Sequence, residues 1–259
     1  MKLSEIIDLD RFPVSDKAFQ ATCRAAFDAS GVFVMEKFLR TDSVAAIQAE
    51  GDARREDVFS QEARHTVYLS SPDSAFPEHH ARNRLVTSSK GCLTDDQIPS
   101  DSPLRTLYDD PSFQAFLCAV LGEEALHPYA DPLSSINLHF AETRQELGWH
   151  FDNSSFAITL MIQPPESGGQ FEYVSAVRDA DAGEMGYAKV AEILDGRAPV
   201  SEIKAEPGTL VLFRGRNALH RVAPNDGDRP RMLAVLAYNS KPGVSLSESA
   251  RLTFYGRVA

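Results

Sequence analysis

An imidazole and a carboxylate stand two residues apart in the stretch Leu147–Asn153, which reads LGWHFDN. If this stretch is extended, His150 and Asp152 point to one face while Phe151 points to the other. A second imidazole, His220, follows a strand-like run further along the chain. Two histidines and one carboxylate on the same face of a metal are the ligands of non-haem iron(II) centres. The pattern therefore predicts a metal site formed by His150, Asp152 and His220.

A metal held by three such ligands keeps three coordination positions open, enough to bind a bidentate 2-oxoacid together with dioxygen. The far carboxylate of that cosubstrate needs a cation, and the planar fork of an arginine matches it. Arg231 lies eleven residues after His220 and shares a strand face with Leu233. Arg229 precedes a proline in a turn, where a solvated side chain is expected. We therefore expect Arg231 to bind the cosubstrate.

Length and charge limit the classes of partner. With 259 residues, a formal charge of −11 and a pI near 5.1, the chain has the composition of an ordinary globular protein. Nucleic acids and anionic membranes require clustered Lys and Arg, which this charge disfavours. We expect one domain over residues 1–259 and a small-molecule substrate; the sequence leaves the oligomeric state open.

The three cysteines, Cys23, Cys92 and Cys118, show no paired spacing. An odd number of unpaired cysteines is typical of reduced thiols. No apolar run has the length of a membrane span, and the first residues lack the apolar core of a signal peptide. The sequence favours a cytoplasmic location.

Helical spacing dominates residues 1–130, which we expect to brace a sheet. Within them, residues 70–102 lose all periodicity and carry several prolines, so a long loop is predicted. Loops of this length are usually functional or disordered. A lid over the metal site and a plain solvated loop are both open interpretations.

After Pro132 the pattern changes to short β-type runs separated by turn residues. About eight strands are predicted, near residues 136–140, 156–162, 170–174, 203–205, 209–213, 219–222, 232–238 and 252–255. A helix at 189–196 is the one interruption. Many short strands suit a double-sheet jelly roll, which protects its edges and leaves a pocket between the sheets. The expected class is α+β, mainly β, with a jelly-roll core over residues 131–259.

The spacing H-x-D, distant H, and R about ten residues later resembles that of the iron(II)/2-oxoglutarate-dependent oxygenases. Several longer sequence motifs are similar to those of the small oxygenases that include halogenases and hydroxylases of free amino acids. The motifs that carry this resemblance are Asp96-Gln97-Ile98-Pro99, Leu147-Gly148-Trp149-His150-Phe151-Asp152, Gly168-Gly169-Gln170-Phe171-Glu172-Tyr173, His220-Arg221-Val222 and Phe254-Tyr255-Gly256-Arg257. They extend the likeness over nearly the whole chain.

The resemblance implies a double-stranded β-helix that binds Fe(2+), 2-oxoglutarate and O2. It also implies conversion of 2-oxoglutarate to succinate and carbon dioxide, with attack on an unactivated carbon of an amino acid or a derivative. A glycine at position 152 would leave a coordination position for chloride, whereas the carboxylate of Asp152 fills it. Hydroxylation rather than halogenation is therefore expected.

Further residues are candidates with ordinary structural alternatives. Asn137 can donate to the cosubstrate or pair with backbone. Asn153, Tyr255 and Arg82 are candidate substrate contacts, the last from the predicted loop. His139 shares the face of Asn137, and a core histidine is the favoured interpretation there.

Three rival functions stay open. A cupin-like isomerase or binding protein would use the same metal ligands without 2-oxoglutarate, and a solvent-facing Arg231 would favour it. An oxygenase that acts on a carrier- or protein-bound residue would need a docking surface. A halogenase would give a chlorinated product in spite of Asp152.

Overall fold

Local sequence signals set the ends of the longer helices. In a computed structural model of residues 1–259, helix 17–30 begins at Asp16, whose carboxylate accepts from the Phe19 N–H, and ends at Gly31 with φ of 71°. Helix 111–121 likewise begins at Asp110 and ends at Gly122, with φ of 80°. A capping carboxylate and a left-handed glycine satisfy the backbone groups that a helix leaves unpaired.

The chain forms seven α-helices and eleven strands. The helices are Leu3–Ile6 (α1), Lys17–Ser30 (α2), Thr41–Ala53 (α3), Pro103–Asp109 (α4), Pro111–Leu121 (α5), Tyr187–Leu194 (α6) and Glu248–Tyr255 (α7). The strands are Val32–Met35 (β1), Phe59–Thr66 (β2), Leu85–Leu93 (β3), Ile136–Ala141 (β4), Leu147–His150 (β5), Ala157–Gln163 (β6), Phe171–Val174 (β7), Ser201–Ile203 (β8), Leu210–Phe213 (β9), Leu219–Val222 (β10) and Arg231–Leu236 (β11). Short 3₁₀ turns occupy Arg55–Asp57 and Asp95–Gln97.

The strands from β4 onward form a double-stranded β-helix. The sheet order is β1-β9-β6-β11-β4-β3-β5-β10-β7-β8, with β2 on the other edge of β3, and every pairing is antiparallel. Strands β4, β6, β9 and β11 lie in one half of the curled sheet, and β5, β7, β8 and β10 in the other. Strand β3 joins the two halves by pairing with both β4 and β5. The predicted jelly-roll core is confirmed.

Alternation along the strands separates a core face from a cavity face. In β11, Met232, Ala234 and Leu236 are buried in the large apolar core beneath the helices. Their neighbours Arg231, Leu233 and Val235 line a cavity on the opposite face. Residues of a strand point alternately to its two faces. The helical layer therefore covers one side of the sheet and leaves the other side for a site.

Large aromatic side chains fill the layer between helices and sheet. Phe27, Phe38, Phe113 and Phe116 come from the N-terminal half and Phe140 from β4, and all five are fully buried. The Phe113 ring contacts those of Phe38 and Phe116 at centroid distances of 5.7 and 6.4 Å. These rings pack the N-terminal part of the chain against one face of the sheet.

The structure corrects the predicted loop at residues 70–102. Residues 85–93 form β3, which pairs with β2 along its whole length and with β4 and β5 on its other edge. Strand preference depends mainly on the surrounding sheet. Tertiary pairing therefore makes a strand of a segment whose polar composition predicts a loop. The irregular segment is residues 67–84, joining β2 to β3.

The predicted strand at 252–255 is also wrong. Residues 248–255 form α7, which begins where Ser247 accepts from the Ala250 N–H and ends at Gly256 with φ of 71°. Leu252 and Phe254 are exposed while Tyr255 is buried. The alternation of residue types in this stretch resembles a strand, but the cap residues set a helix.

None of the helices has both the length and the apolar character needed to cross a membrane.

We expect Phe113→Ala to lower the free energy of unfolding by about 3–5 kcal/mol, because it removes a fully buried ring and leaves a cavity. Denaturant unfolding measures this change. Leu252→Ala is the control, since Leu252 is 54% exposed and its loss should stay within about 0.5 kcal/mol. Equal destabilisation by both variants would show that the aromatic layer does not hold the helices on the sheet.

Candidate metal centre

Two histidines face each other across neighbouring strands of the curled sheet. His150, the last residue of β5, is the register partner of His220 in β10, and their ring centroids are 4.2 Å apart. Asp152 follows two residues later, with Oδ1 lying 3.8 Å from His150 Nε2 and 3.5 Å from His220 Nε2. The ligand atoms of all three residues lie within 4.8 Å of one another. The structure thus brings together the three residues predicted to bind metal.

Backbone carbonyls orient both imidazoles. His150 Nδ1 lies 2.7 Å from the Gly148 carbonyl oxygen, and His220 Nδ1 lies 3.0 Å from that of Ala218. A carbonyl accepts, so each Nδ1 carries the hydrogen and each Nε2 keeps a free lone pair. The two lone pairs are directed toward the Asp152 carboxylate, as a metal ion between them requires.

Gly215 provides the space that the Asp152 carboxylate occupies. The backbone N–H of Asp152 donates to the Gly215 carbonyl at 3.1 Å, which places the two residues side by side. A Cβ atom at position 215 would stand only 2.5 Å from Asp152 Cγ and would overlap its Oδ2. The rigid carboxylate stem cannot yield without moving Asp152. A glycine at 215 is therefore a condition for a carboxylate ligand at 152.

Arg178 fixes the backbone around Asp152. Its Nε donates to the Arg216 carbonyl at 2.7 Å, and its Nη2 to the Asp152 carbonyl at 3.4 Å. The guanidinium carbon lies 4.1 Å from the centroid of the Phe151 ring. A planar cation stacked on an aromatic face and bonded to two carbonyls is well ordered. Arg178 therefore ties the segment after β5, which carries Asp152, to the loop that carries Gly215.

The electrostatics of the centre suit a bound cation. Burial, reinforced by the neighbouring His220, lowers the pKa of His150 to about 3. For Asp152 burial acts to raise the pKa, but His220, His150 and Arg178 outweigh it and the net shift is downward. His150 is thus neutral and Asp152 ionised at pH 7. These are the protonation states that metal ligation needs.

One Asp152 oxygen, Oδ2, is buried without a hydrogen-bond donor. An unpaired buried carboxylate oxygen costs free energy, and a cation removes that cost. Two neutral imidazole nitrogens with one carboxylate oxygen are the donor set that non-haem iron(II) takes. The residues present therefore fit an iron(II) ion, with His150, Asp152 and His220 as its protein ligands.

The metal ligands open into a cavity of about 1120 Å³. Arg231 lines the same cavity from β11, is 7% exposed, and has a buried Nε–H without an acceptor. Burial lowers the pKa of Arg231 to about 10, so the guanidinium is still charged at pH 7. Gly169 packs against it, since a Cβ there would lie 3.4 Å from Arg231 Cδ. A cation held in this way is suited to a carboxylate ligand.

Asn137 and Tyr255 bind each other rather than lining the cavity. The Tyr255 hydroxyl donates to Asn137 Oδ1 at 3.0 Å, and Asn137 Nδ2 donates to the carbonyls of Leu133 and Ile136. Both side chains are buried on β4 and α7 and have their hydrogen-bonding capacity filled by protein. Asn137, predicted to contact the cosubstrate, and Tyr255, predicted to contact the substrate, therefore lie outside the cavity lining and bind each other.

The other predicted substrate contacts differ in position. Asn153 lines the cavity beside Asp152 and is exposed. Arg82 does not line it: its Nη2 donates to the Ser71 carbonyl and its guanidinium lies 5.8 Å from the Tyr68 ring centroid. The segment 67–84 instead reaches the cavity through residues 69–72.

Sequence reasoning missed Lys90, and it assigned His139 to the core. Both side chains line the cavity, from β3 and β4, and Lys90 Nζ lies 3.1 Å from His139 Nε2. Lys90 lies in the segment predicted as a loop, so no pattern placed it on a strand face. His65 on β2 is a further cavity residue; its Nε2 lies 2.6 Å from Ser88 Oγ.

Comparison with known proteins gives one family and a common fold. The family model described as Halogenase D matches residues 15–252. No curated protein sequence matches significantly. Similar solved structures include an oxidoreductase of the 2OG-Fe(II) oxygenase family from Burkholderia pseudomallei, 13% identical with a TM-score of 0.58, covering 89% of this chain and 95% of that one.

Two further solved structures share the fold. A prolyl-4-hydroxylase from Pseudomonas putida is 14% identical with a TM-score of 0.52, over 83% of this chain and 96% of that one. The epimerase SnoN, in complex with Fe3+, alpha ketoglutarate and nogalamycin RO, is 15% identical with a TM-score of 0.57, over 86% of this chain and 84% of that one. At such identities the likeness shows the double-stranded β-helix fold.

We expect Gly215→Ala to weaken metal binding by about tenfold to a hundredfold, since the added methyl displaces a ligand. Anaerobic titration with Fe(II) measures the affinity. Gly51→Ala is the matched control: its Cβ would meet only the side-chain ends of Leu138 and Met232, and Gly51 is not among the residues lining the cavity. In an Asp152→Ala background the Gly215→Ala change should have little further effect. A Gly215→Ala protein with undiminished metal affinity would contradict this account of Gly215.

Proposed function

This chain belongs to the Halogenase D family, and from that premise we propose that it is an iron(II)- and 2-oxoglutarate-dependent oxygenase. We propose further that it hydroxylates an unactivated carbon of a small molecule, with a free amino acid or a derivative as the substrate class. The observation that carries the proposal is the meeting of two features in one cavity: the metal ligands and the unpaired guanidinium of Arg231.

Three residues would bind the metal ion, and a fourth would bind the cosubstrate. His150, Asp152 and His220 would hold the iron on one side and leave the side toward the cavity free for cosubstrate and dioxygen. An iron(II) ion bound there would allow dioxygen to oxidise 2-oxoglutarate to succinate and carbon dioxide and to hydroxylate the substrate carbon, with one oxygen atom going to each product. Arg231 would bind the far carboxylate of 2-oxoglutarate and fix its orientation. Apolar strand residues such as Val211, Phe213 and Leu233 line the space and limit the access of water.

The burial of Arg231 separates this proposal from a cupin-like isomerase or binding protein. A solvent-facing guanidinium would favour such a protein, because no oxoacid would then need it. Arg231 is buried and directed into the cavity, without a protein acceptor for its Nε–H. This placement supports the use of an acidic cosubstrate.

Asp152 supports hydroxylation, although the family takes its description from halogenation. The carboxylate oxygen Oδ1 lies 3.8 and 3.5 Å from the Nε2 atoms of His150 and His220, and Gly215 leaves the space that the carboxylate occupies. A halide ligand would have to displace Asp152. We therefore infer that this member transfers oxygen rather than halogen.

The size and the rim of the cavity bear on whether the substrate is a free small molecule or a residue bound to a carrier or protein. A cavity of about 1120 Å³ is ample for a cosubstrate and an amino acid, since small-molecule pockets span about 300–1,000 Å³. An apolar rim of Leu69, Leu85 and Phe254 is exposed at the cavity, which favours a carrier- or protein-bound residue as the second candidate. Comparing turnover of the free substrate with that of a tethered form distinguishes them.

Substrate-stimulated succinate formation tests the reaction. We expect the unaltered protein, screened against amino acids in chloride buffer, to give a product with one added oxygen atom and no chlorine. Asp152→Ala should abolish hydroxylation because a metal ligand is lost. Asp181→Ala, which removes an exposed carboxylate paired with Arg216 at 2.7 Å, is the control and should keep activity. A chlorinated product from the unaltered protein would refute the role given to Asp152.

Arg231→Ala should weaken 2-oxoglutarate binding by at least about tenfold, since a hydrogen bond to a charged group contributes about 1.5–3 kcal/mol. Equilibrium titration of the iron-loaded protein without oxygen measures it. Arg229→Ala is the control, because Arg229 donates to the Pro164 carbonyl at an exposed turn. If the Arg229 variant loses affinity and the Arg231 variant does not, the cosubstrate site has been assigned to the wrong arginine.

A further inference from the structure

Lys90 brings a second cation into the cavity, and no carboxylate pairs with it. Its Nζ contacts the two ring nitrogens of His139, at 3.1 and 3.4 Å, and forms no ion pair. Apart from the metal ligand Asp152, the acidic residues that line the cavity are Glu166 and Glu206, and both are exposed. Lys90 is partly buried, and a partly desolvated ammonium without an anion is unfavourable. Lys90 is thus suited to an anionic ligand.

The strand register directs Lys90 and Arg231 toward the same part of the cavity. Arg231 in β11 is the register partner of Ala141 in β4. On the other edge of β4, Gly91 pairs with Phe140, which places Lys90 beside Ala141. The Cα atoms of Lys90 and Arg231 are thus two strand spacings apart, about 9–10 Å, and both side chains lie on the cavity face. Ala141, the residue of β4 in this row, has only a methyl side chain.

His139 lies on the same face, in the neighbouring row of paired residues, and the charges of Lys90 and Arg231 both affect its pKa. It pairs with Leu233 in β11 and with Cys92 in β3. Burial lowers the pKa of His139 well below its ordinary value, and the charges of Lys90 and Arg231 lower it further. A neutral imidazole can accept a hydrogen bond from Lys90 and adds no charge. The row therefore brings the Lys90 amino group and the Arg231 guanidinium to the same part of the cavity.

Resting on the function proposed above, we propose that Lys90 and Arg231 together clamp the distal carboxylate of 2-oxoglutarate. Arg231 supplies the planar fork and Lys90 a point charge from the opposite side of the same row. The clamp selects an oxoacid with a second carboxylate over one without it.

Binding of two oxoacids to the iron-loaded protein tests the clamp, by calorimetry in the absence of oxygen. The ligands are 2-oxoglutarate and 2-oxopentanoate, which has the same chain without the distal carboxylate. We expect Lys90→Met to lose at least about tenfold in affinity for 2-oxoglutarate and to keep its affinity for 2-oxopentanoate. Lys90→Arg should retain most of the affinity. Lys204→Met, which removes an exposed lysine at the same cavity, should change neither.

Any other result contradicts the proposal that Lys90 and Arg231 form a clamp. Unchanged 2-oxoglutarate affinity in Lys90→Met, with Arg231→Ala weakened, rejects the role of Lys90 and leaves the proposed function intact. An equal loss for both oxoacids means that Lys90 acts on their shared end or on the fold. Failure of the unaltered protein to bind 2-oxoglutarate removes the proposed function and the clamp together. Should Lys90→Met not fold, Lys90→Gln serves the same comparison.

Discussion

The structure depends on an electrostatic constraint at one point: a carboxylate with a buried, unpaired oxygen lies beside the Nε2 atoms of two imidazoles whose Nδ1 atoms are bonded to backbone carbonyls. Asp152 Oδ2 has no donor, and His150 is held neutral by burial. Leaving an ion unpaired in a protein interior costs several kcal/mol, which a bound metal ion would offset. Gly215, Arg178 and two backbone carbonyls keep this arrangement from relaxing.

The fold makes the convergence possible because the sheet curls and its strands alternate between two halves. His150 and His220 are register partners, so neither can move without disturbing the ladder between β5 and β10. On the other half of the sheet, β11 directs Arg231 into the same cavity while its alternate residues anchor the aromatic layer. The helices contribute no metal ligand. Their part is to cover the outer face, so that the inner face can carry polar groups.

Short-range sequence patterns predicted the metal ligands and Arg231 better than they predicted the other residues around the site. The H-x-D spacing and the position of Arg231 on a strand are local features, and alternation predicts that His150 and Asp152 share one face and that Arg231 shares a face with Leu233. The meeting of these residues with the distant His220 depends on the curl and register of the sheet. Lys90 could not be found in this way, since β3 becomes a strand only by pairing on both edges. Gly215 gave no signal, because its role is the absence of a side chain against a residue 63 positions earlier. Asn137 and Tyr255 have suitable chemistry, but packing turned them toward each other.

X-ray absorption at the iron edge, on the iron(II)-loaded protein and its Asp152→Ala variant, tests the central claim most directly. We expect a single iron with two imidazole nitrogens and one protein carboxylate oxygen, the remaining positions being filled by exchangeable oxygen ligands. The variant should lose the carboxylate contribution and keep both imidazoles. A spectrum with one imidazole or none, or one that is unchanged by the substitution, would show that the three residues do not share a metal ion.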